Sequence, residues 1–404
     1  MLSLDNALQR LLERIRPLAE YERLDTFEAL GRVLAEPIVS LLDVPPADNT
    51  SMDGYAMRCV DVPTAGAVLQ VSQRIAAGQA AQPLQAGTAA RIFTGAQIPD
   101  GADAVVMQEQ CKVLDDGSVA VESVPDSGQW IRRRGEDVRQ GAEVLLAGRR
   151  LTPQALGLAA SVGAAELVVV RRPKVALFST GDELVMPGEP LRPGSIYNSN
   201  RYTLRALIEQ FGCECTDFGI VPDRLDATRD ALRRAASGHD LIVTSGGVSV
   251  GEEDHLKPAV EAEGRLDLWQ IAIKPGKPLA FGEIDGAGAE RSTWFIGLPG
   301  NPVSSFITFL LAVRPLLLTM QGVKDWQTPA CDMRADFDWP KADKRREFMR
   351  VRRNADGGLD LFANQSSGVL TSAVWGDGVI DNPPGQVIRR GETVRFISFA
   401  EWMA

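Results

Sequence analysis

The sequence predicts a multidomain α/β and β protein in which a central α/β domain is combined with β-rich and helical parts. The first observation is length, because 404 residues exceed one ordinary domain and suggest roughly two to four. The second is the region 173–320, where short apolar runs end in glycine-containing loops and alternate with amphipathic helices. This alternation indicates a largely parallel sheet covered on both faces. The third is β-type patterning on both sides of that region.

The elements follow this scheme along the chain. Residues 1 to about 40 carry apolar side chains at helical spacing, and a second helix is expected to begin near Pro153. Between these helical parts lie short β-type runs broken by Gly and Pro, and the chain is β-like again after Gln327, with runs such as "EFMRVRRN". The predicted domains are 1–45 with 139–172 (helical linker, discontinuous), 46–138 (β-rich insertion), 173–320 (α/β) and 321–404 (small C-terminal β domain).

Composition excludes several classes of protein. The net charge of −10 argues against general nucleic-acid binding, although a local basic pocket would still attract a small anion. Five cysteines form no CxxC pair, and two histidines cannot build a zinc site alone, so any metal is expected to be a hard cation on oxygen ligands. The apolar stretch "FITFLLAV" is too short to span a bilayer, and the N-terminus has no signal-peptide core. We expect a cytoplasmic protein that does not bind membranes.

Polar residues follow the predicted strands of the α/β domain in several places. In open α/β sheets, ligands bind outside the carboxyl ends of the strands, so these loops are where a site is expected. The loops and their polar or turn residues are "STGDEL" (Asp182, Glu183), "GIVPDR" (Asp223), "LIVTSGGVSVGEED" (Ser245, Gly246, Gly247, Ser249, Asp254), "AIKPGKPLAFG" (Lys274, Lys277, Pro278) and "GLPGNPVSS" (Pro299, Asn301).

Each loop has an ordinary structural explanation when it is taken alone. An acid after a strand is usually a helix cap or a solvated turn, and a lone glycine-rich loop is weak evidence for phosphate binding. Paired lysines around a Pro-Gly turn are usually surface charge, and Pro at the first helical position is ordinary helix architecture. The occurrence of all five at the strand ends of one sheet is better explained by a ligand site.

The mixture of charges narrows the expected ligand. Backbone N–H groups of glycine loops and helix N-termini attract phosphate-like groups, and lysines add positive charge for an oxyanion. Carboxylates would repel a phosphate unless a cation lies between them, and Mg²⁺ is routinely held by one or two carboxylates together with substrate phosphates. The pattern therefore predicts a Mg²⁺-dependent reaction on a phosphate or phosphoanhydride. The glycine loop does not end in GK[ST], which argues against a P-loop NTPase. No GxGxxG follows the first strand, which argues against an NAD enzyme.

Three stretches in the N-terminal half also carry polar groups. "NTSMDGYAM" places Asp53 in a turn, "RIFTGAQIP" places Thr94 before a glycine, and "QWIRRRGEDV" combines three arginines with Glu136 and Asp137. Taken alone, these are explained as a β-turn acid, a hairpin turn and a solvated charge run.

The chain resembles the molybdopterin molybdenumtransferases, the MoeA family that includes the C-terminal domain of gephyrin. The resemblance covers nearly the whole chain and rests on "SMDGYA", "RIFTGA", "RRRGEDV", "STGDEL", "TSGGVSVGEED", "IKPGKP", "GLPGNPVS" and "NQSSGVLTS" in that order. It implies a three-layer α/β molybdopterin-binding domain and a barrel-like C-terminal domain. It also implies an enzyme that inserts molybdenum from molybdate into adenylylated molybdopterin and releases AMP, with Mg²⁺ as cofactor.

The family further implies an elongated homodimer in which the β-rich domain of one subunit faces the molybdopterin-binding domain of the other. It leaves room for transient contacts with other proteins of molybdenum cofactor biosynthesis. Matching positions to the family motifs assigns functional polar roles to Asp53, Thr94, Arg132, Asp137, Glu183, Asp223 and Asp254. The positions that match a molybdate-holding segment are Ser249, Lys274, Lys277 and Pro278, with Ser367 and Arg350 from the C-terminal domain.

The roles expected from the resemblance are as follows. Asp254, with Glu183 or Asp223, positions Mg²⁺ and the attacking water at the anhydride. Ser245 to Gly247 and the Pro299–Asn301 loop cradle the pterin phosphate. Lys274 and Lys277 neutralise molybdate. Glu252 and Glu253 are interpreted as acids in the first turn of a helix.

One position departs from the family, and two other functions compete. Some members carry a basic residue four positions before Lys274, where this chain has Gln270, which donates a hydrogen bond but no charge.

A molybdopterin adenylyltransferase would resemble the central domain alone. A scaffold protein would leave the acids dispensable.

Overall fold

The N-terminal segment begins with a helix that is shorter than the sequence predicts. The computed structural model describes residues 1–248, 255–285 and 292–403. Ser3 caps the first helix by accepting a hydrogen bond from the backbone N–H of Asn6. The prediction of a helix to about residue 40 is wrong beyond Leu12, because the segments that follow pair with strands far along the chain. The elements are α1 (Leu4–Leu12), β1 (Tyr21–Asp25), a 3₁₀ turn (Thr26–Glu28) and β2 (Ile38–Val39).

The inserted segment is β-rich, as predicted. Its main sheet has six strands, and two separate buried clusters pack against them. The strands are β3 (Asn49–Thr50), β4 (Gly54–Met57), β5 (Ala67–Ile75), β6 (Thr88–Ile92), β7 (Ala104–Met107), β8 (Cys111–Val113), β9 (Val119–Val121) and β10 (Ile131–Arg132). The order in the sheet is β7-β4-β6-β5-β9-β8, and β3 pairs separately with β10.

The chain then returns to the N-terminal strands. Thr152 caps the helix that starts at Pro153, as the sequence predicts, and Pro at its first position lacks the N–H that would otherwise be unpaired. The elements are β11 (Glu143–Leu145), α2 (Pro153–Ser161) and β12 (Glu166–Val170). β11 pairs with β2, and β12 pairs antiparallel with β1. This pairing joins two segments that the insertion separates in sequence.

The central region is the predicted α/β unit. Its elements are β13 (Lys174–Thr180), β14 (Leu184–Val185), β15 (Ile196–Tyr197), α3 (Ser199–Gln210), β16 (Glu214–Val221), α4 (Leu225–Ala236), β17 (Leu241–Ser245), α5 (Leu256–Glu263), β18 (Gly264–Gln270), β19 (Ile273–Lys274), β20 (Pro278–Ile284), β21 (Thr293–Leu298), α6 (Pro302–Thr308), a π-helical segment (Phe309–Val313) and α7 (Arg314–Met320). The sheet order is β16-β13-β17-β21-β20-β18. The first four strands are parallel, and β20 and β18 are antiparallel to their neighbours.

Both faces of this sheet are buried, which confirms the three-layer arrangement. Side chains alternate along β13, so that Val175 and Leu177 belong to one cluster and Ala176 and Phe178 to the other. Helices α1, α3, α6 and α7 contribute to the first cluster, and α4 and α5 contribute to the second.

The apolar stretch that the sequence marks as too short for a membrane lies in a longer helical run. Pro302–Met320 spans 19 residues and is apolar enough to cross a bilayer by length and composition alone. However, 94% of its window is buried inside the protein. A helical run that is buried to this extent belongs to the protein core, where it packs against the central sheet.

The C-terminal domain is a closed five-stranded barrel. Its elements are β22 (Cys331–Ala335), β23 (Arg346–Arg353), β24 (Gly358–Leu361), α8 (Thr371–Trp375), β25 (Gly378–Asn382), β26 (Thr393–Ser398) and α9 (Phe399–Trp402). The order β23-β24-β22-β26-β25 closes because β25 also pairs with β23. The short strand β19 of the central region pairs in parallel with β23 and so attaches the barrel to the α/β unit.

Truncation of one core side chain tests the central sheet. Leu177 is fully buried, and Leu177→Ala is expected to lower the free energy of unfolding by about 2–5 kcal/mol because it leaves a cavity between tightly packed strands. The matched control is Leu191→Ala, since Leu191 is 51% exposed. Urea denaturation followed by circular dichroism measures both, and equal midpoints for the two variants would contradict the described core.

Candidate active site

A cleft of about 690 Å³ lies at the carboxyl ends of the parallel strands. The loops after β13, β16, β17 and β21 converge there because parallel strands end at the same edge of a sheet. The predicted site residues that line the cleft are Glu183, Asp223, Ser245, Gly246, Gly247, Pro278, Pro299 and Asn301. These residues, separated by more than a hundred positions in sequence, are therefore brought together as predicted.

The glycine pair after β17 has a steric requirement for glycine. Gly246 and Gly247 have φ of +89° and +65°, in the left-handed region that L side chains rarely adopt. A Cβ on Gly246 would lie 2.5 Å from the carbonyl oxygen of Thr180, and one on Gly247 would lie 2.6 Å from the Thr180 hydroxyl. The loop can pack against the end of β13 only without these side chains.

The acidic residues form one wall of the cleft. Glu183 and Asp223 both line it, and the Asp182 carboxylate accepts a hydrogen bond from the backbone N–H of Asp223 at 3.2 Å. This bond ties the loop after β13 to the loop after β16. The described residues contain no group of three or more His, Cys, Asp or Glu arranged to hold a metal ion, and Asp254, the third predicted acid, lies outside them. Ser249 lies outside them too.

Amide and hydroxyl side chains that the sequence interpretation did not select form the floor of the cleft. The Asn200 side chain donates to the carbonyl oxygen of Gly300 at 2.8 Å and to the Ser245 hydroxyl at 3.4 Å. It therefore joins the helix α3 to the loops after β17 and β21. Asn198, Asn200 and Thr180 also line the cleft. No motif in the sequence identified Asn198 or Asn200 as a site residue, because their place in the cleft depends on the fold around α3.

Lys274 lies between two carboxylates of the barrel and does not line the cleft. Its ammonium group is 3.0 Å from Glu347 and 3.3 Å from Asp343. Glu347 is only 2% exposed and also accepts from the indole N–H of Trp339 at 3.1 Å. The hydrogen bond from Arg345 holds the pKa of Asp343 well below its usual range. Lys274 therefore links the barrel to the α/β unit. Lys277, three residues later, is half-buried.

The C-terminal residues reach the cleft through one loop. Arg350 is 1% exposed and donates to the Ser372 hydroxyl at 3.0 Å and to the carbonyl oxygen of Ser366 at 3.1 Å. Burial lowers the pKa of Arg350 to about 10. The Ser367 carbonyl accepts from the backbone N–H of Val303 in α6, and Gly368 lines the cleft. Arg350 therefore fixes the loop and does not itself line the cleft.

The predicted residues of the insertion lie apart from the cleft of the same chain. Asp53, Thr94, Arg132 and Asp137 are all exposed, and none of them lines it. Asp53 and Thr94 meet, because the Asp53 carboxylate accepts from the Thr94 backbone N–H at 2.7 Å and from its hydroxyl at 2.8 Å. These two bonds, the backbone bond more strongly, lower the pKa of Asp53.

The fold and the cleft define a class of protein: a multidomain protein whose central α/β domain has a ligand cleft at the ends of its strands. Residues 176–319 match the family model described as "Probable molybdopterin binding domain". Residues 2–163 match the MoeA N-terminal region (domain I and II), and residues 332–399 match the MoeA C-terminal region (domain IV). Together with the relatives described next, these matches show that the chain belongs to the molybdopterin molybdenumtransferase (MoeA) family.

Proteins named molybdopterin molybdenumtransferase align with most of the chain. The one from Haemophilus influenzae is 44% identical over 351 residues, which cover 87% of this chain and 85% of that protein. The one from a Nostoc species is 36% identical over 392 residues, which cover 94% and 89% of the two chains. The chain is therefore a transferase enzyme of molybdenum cofactor biosynthesis, in a family named for molybdenum transfer.

Solved structures agree with this assignment. Two crystal structures of a molybdopterin biosynthesis MoeA protein from Pyrococcus horikoshii are 30% and 31% identical to the chain, with TM-scores of 0.85 and 0.79. Each covers 99% of this chain and 99% or more of its own. The multidomain fold predicted from the sequence is thus confirmed.

A methyl group on the glycine loop tests its close packing. Gly246→Ala is expected to destabilise the protein by more than the roughly 1–2 kcal/mol of left-handed strain, because the new Cβ also meets the Thr180 carbonyl. Gly194→Ala is the matched control, since Gly194 has φ of +82° with open space around it. Thermal unfolding of both variants separates the clash from the strain. Equal losses would show that the loop is not packed against β13.

A second prediction concerns the Asp53–Thr94 pair. Because hydrogen bonds to the charged form depress the pKa of Asp53, Thr94→Val is expected to raise that pKa part of the way to its ordinary value, leaving the backbone bond in place. A carboxyl group whose pKa is depressed in the folded state stabilises the fold above its unfolded pKa, and this stabilisation is lost as the pH falls through the folded pKa. Because Thr94→Val raises the folded pKa of Asp53, the variant loses the contribution at a higher pH than the wild type does. Carbon-detected NMR titration of labelled aspartate measures it. An unchanged pKa would mean that the side-chain bond does not form in solution.

Proposed function

We propose that the chain inserts molybdenum from molybdate into adenylylated molybdopterin and releases AMP in a Mg²⁺-dependent step, giving the molybdenum-loaded cofactor. The observation that carries the proposal is the cleft, whose lining combines two carboxylates, a glycine loop and the start of a helix. An anhydride needs both kinds of group, because its phosphates take N–H donors while its charge calls for a cation.

The residues at the acidic wall fit magnesium. Glu183 and Asp223 supply oxygen ligands, which Mg²⁺ prefers, and one or two carboxylates are the number it uses when substrate phosphates complete its shell. When bound, Mg²⁺ would neutralise negative charge on the phosphate oxygens. Asp254, which the family motif assigns to the same site, would act with Glu183 and Asp223 to position the attacking water.

The other residues of the chain bind and orient the substrate. The backbone N–H groups of Ser245 to Gly247 would cradle the pterin phosphate, together with the Pro299–Asn301 loop at the start of α6. Molybdate would lie near Lys277 and Pro278, with Ser249 and the Ser367 loop contributing to the oxyanion site. Lys274, which is held by Glu347 and Asp343, would position this segment. Asn200 would keep the two cradling loops in register, since it bonds to both.

The direct test is AMP release. Purified protein, adenylylated molybdopterin, molybdate and Mg²⁺ are combined, and AMP and cofactor are quantified with time. Glu183→Gln and Asp223→Asn are expected to lower the rate by about a hundredfold because each removes an anionic group from the acidic wall. Glu189→Gln, an exposed acid of the same connection, is the control and is expected to leave the rate unchanged. Undetectable AMP with the wild type would refute the proposed reaction.

We also propose that the active form is a homodimer. Large apolar side chains of the linker region are exposed, among them Phe27 at 89%, Leu41 at 81% and Leu146 at 62%. We infer that these side chains contribute to an interface, since large apolar surface that is exposed in one subunit is covered where subunits associate. A dimer would also supply the polar residues of the insertion, which do not line the cleft of their own chain, to the cleft of the partner.

Mixing two inactive variants tests this sharing. Asp53→Asn and Glu183→Gln homodimers are each expected to be nearly inactive. After unfolding and refolding together, one cleft of each mixed dimer would combine an intact acidic wall with an intact Asp53, so activity would return to about a quarter of wild type by random pairing. Light scattering gives the mass in parallel. A monomeric mass, or no recovery from refolded mixtures when wild type recovers, would contradict the shared site.

A further inference from the structure

A buried amide at the start of α3 is left without a hydrogen-bond partner. Asn198 lines the cleft and is 1% exposed, and its Nδ2 atom has no partner. Leaving a buried donor unpaired costs about 1–3 kcal/mol, so such groups in folded proteins call for an explanation. The function proposed above assigns no role to this residue.

The orientation of the Asn198 amide is fixed by its own contacts. Its Oδ1 atom caps α3 by accepting from the backbone N–H of Arg201 at 3.2 Å, and it accepts from the Ser179 hydroxyl at 3.5 Å. An amide flip would place an N–H₂ group against the Arg201 N–H and lose the cap. The unpaired group is therefore the donor, and it is available only to an acceptor.

A second unpaired group lies at the same end of the sheet. The Thr180 hydroxyl is also buried and without a partner, and Thr180, at the end of β13, also lines the cleft. The N-terminus of the 12-residue helix α3 lies beside them, with Ser199 and Asn200 in the lining. The positive end of the helix dipole and an unpaired N–H donor both favour an anion.

We propose that Asn198 is a ligand-binding residue that donates its amide N–H to a phosphate oxygen of the bound phosphoanhydride, beside the N-terminus of α3. The identity of the ligand rests on the proposed function, whereas the preference for a phosphate rests on the donor and the dipole. The cleft is thereby divided: a cation belongs at Glu183 and Asp223, and phosphate oxygens belong at the α3 end. Because Asn198 is 1% exposed, the hydrogen bond gains strength from the low dielectric around it.

Two substitutions separate this role from the capping role. Asn198→Ser keeps a good cap and removes the unpaired donor, so its unfolding temperature is expected to equal or exceed that of the wild type. Asn198→Asp keeps the shape and the cap but replaces the donor by an anionic acceptor. Inorganic pyrophosphate and AMP, each with Mg²⁺, are titrated into full-length protein by calorimetry. We expect about a tenfold weaker Kd for N198S and a larger loss for N198D.

Thr152→Ser, at the cap of α2, is the matched control and is expected to bind both probes as the wild type does. The inference is overturned if N198S binds them as tightly as the wild type, since the donor would then be satisfied within the protein or by water. It is also overturned if wild-type protein binds neither probe. A wild type that releases no AMP, but whose pyrophosphate binding is weakened in N198S, would refute the proposed reaction and leave this assignment intact.

Discussion

The site depends on one constraint, the burial of the central parallel sheet on both faces. Four neighbouring strands run in the same direction because helices cover each side, and this leaves only the strand ends open to solvent. Every polar loop that follows one of these four strands therefore emerges at one edge. Glu183, Asp223 and the glycine pair share a cleft for this topological reason, although nothing in their local sequence relates them.

Specific ion pairs attach the C-terminal barrel to the rest of the chain. Arg346 of the barrel pairs with Asp381 inside it and with Asp5 of α1, while Lys274 pairs with the buried Glu347. Removing one partner of a buried pair is costly because the other charge stays buried, so the contact between Lys274 and Glu347 holds the barrel in one position, whereas Asp5 is exposed and its contact adds less. That position brings the loop containing Gly368 to the cleft. The barrel thus contributes to the site without contributing a large surface to it.

The sequence was sufficient for the features that depend on local pattern. The α/β unit, the β-rich insertion, the start of α2 and the strand-end acids all follow from periodicity, caps and glycine positions. It was insufficient where partners are distant. Residues 21–39 form strands only because β11 and β12 pair with them. The neutralisation of Lys274 depends on Glu347 and Asp343, which belong to another domain. The unpaired amide of Asn198 is invisible in sequence because an unsatisfied donor is defined by what surrounds it.

The closure of the C-terminal barrel has a consequence for behaviour at high concentration. An open sheet exposes a row of unpaired backbone groups that can recruit another chain and seed fibrous aggregates. In the described residues 331–398, the ring from β23 to β25 returns to its starting strand, so this domain offers no such template. The six-stranded sheets of the insertion and of the central region, by contrast, are open and end in β7 and β8 and in β16 and β18. If partial unfolding leads to self-association of this enzyme, it should begin at one of these open edges and spare the barrel.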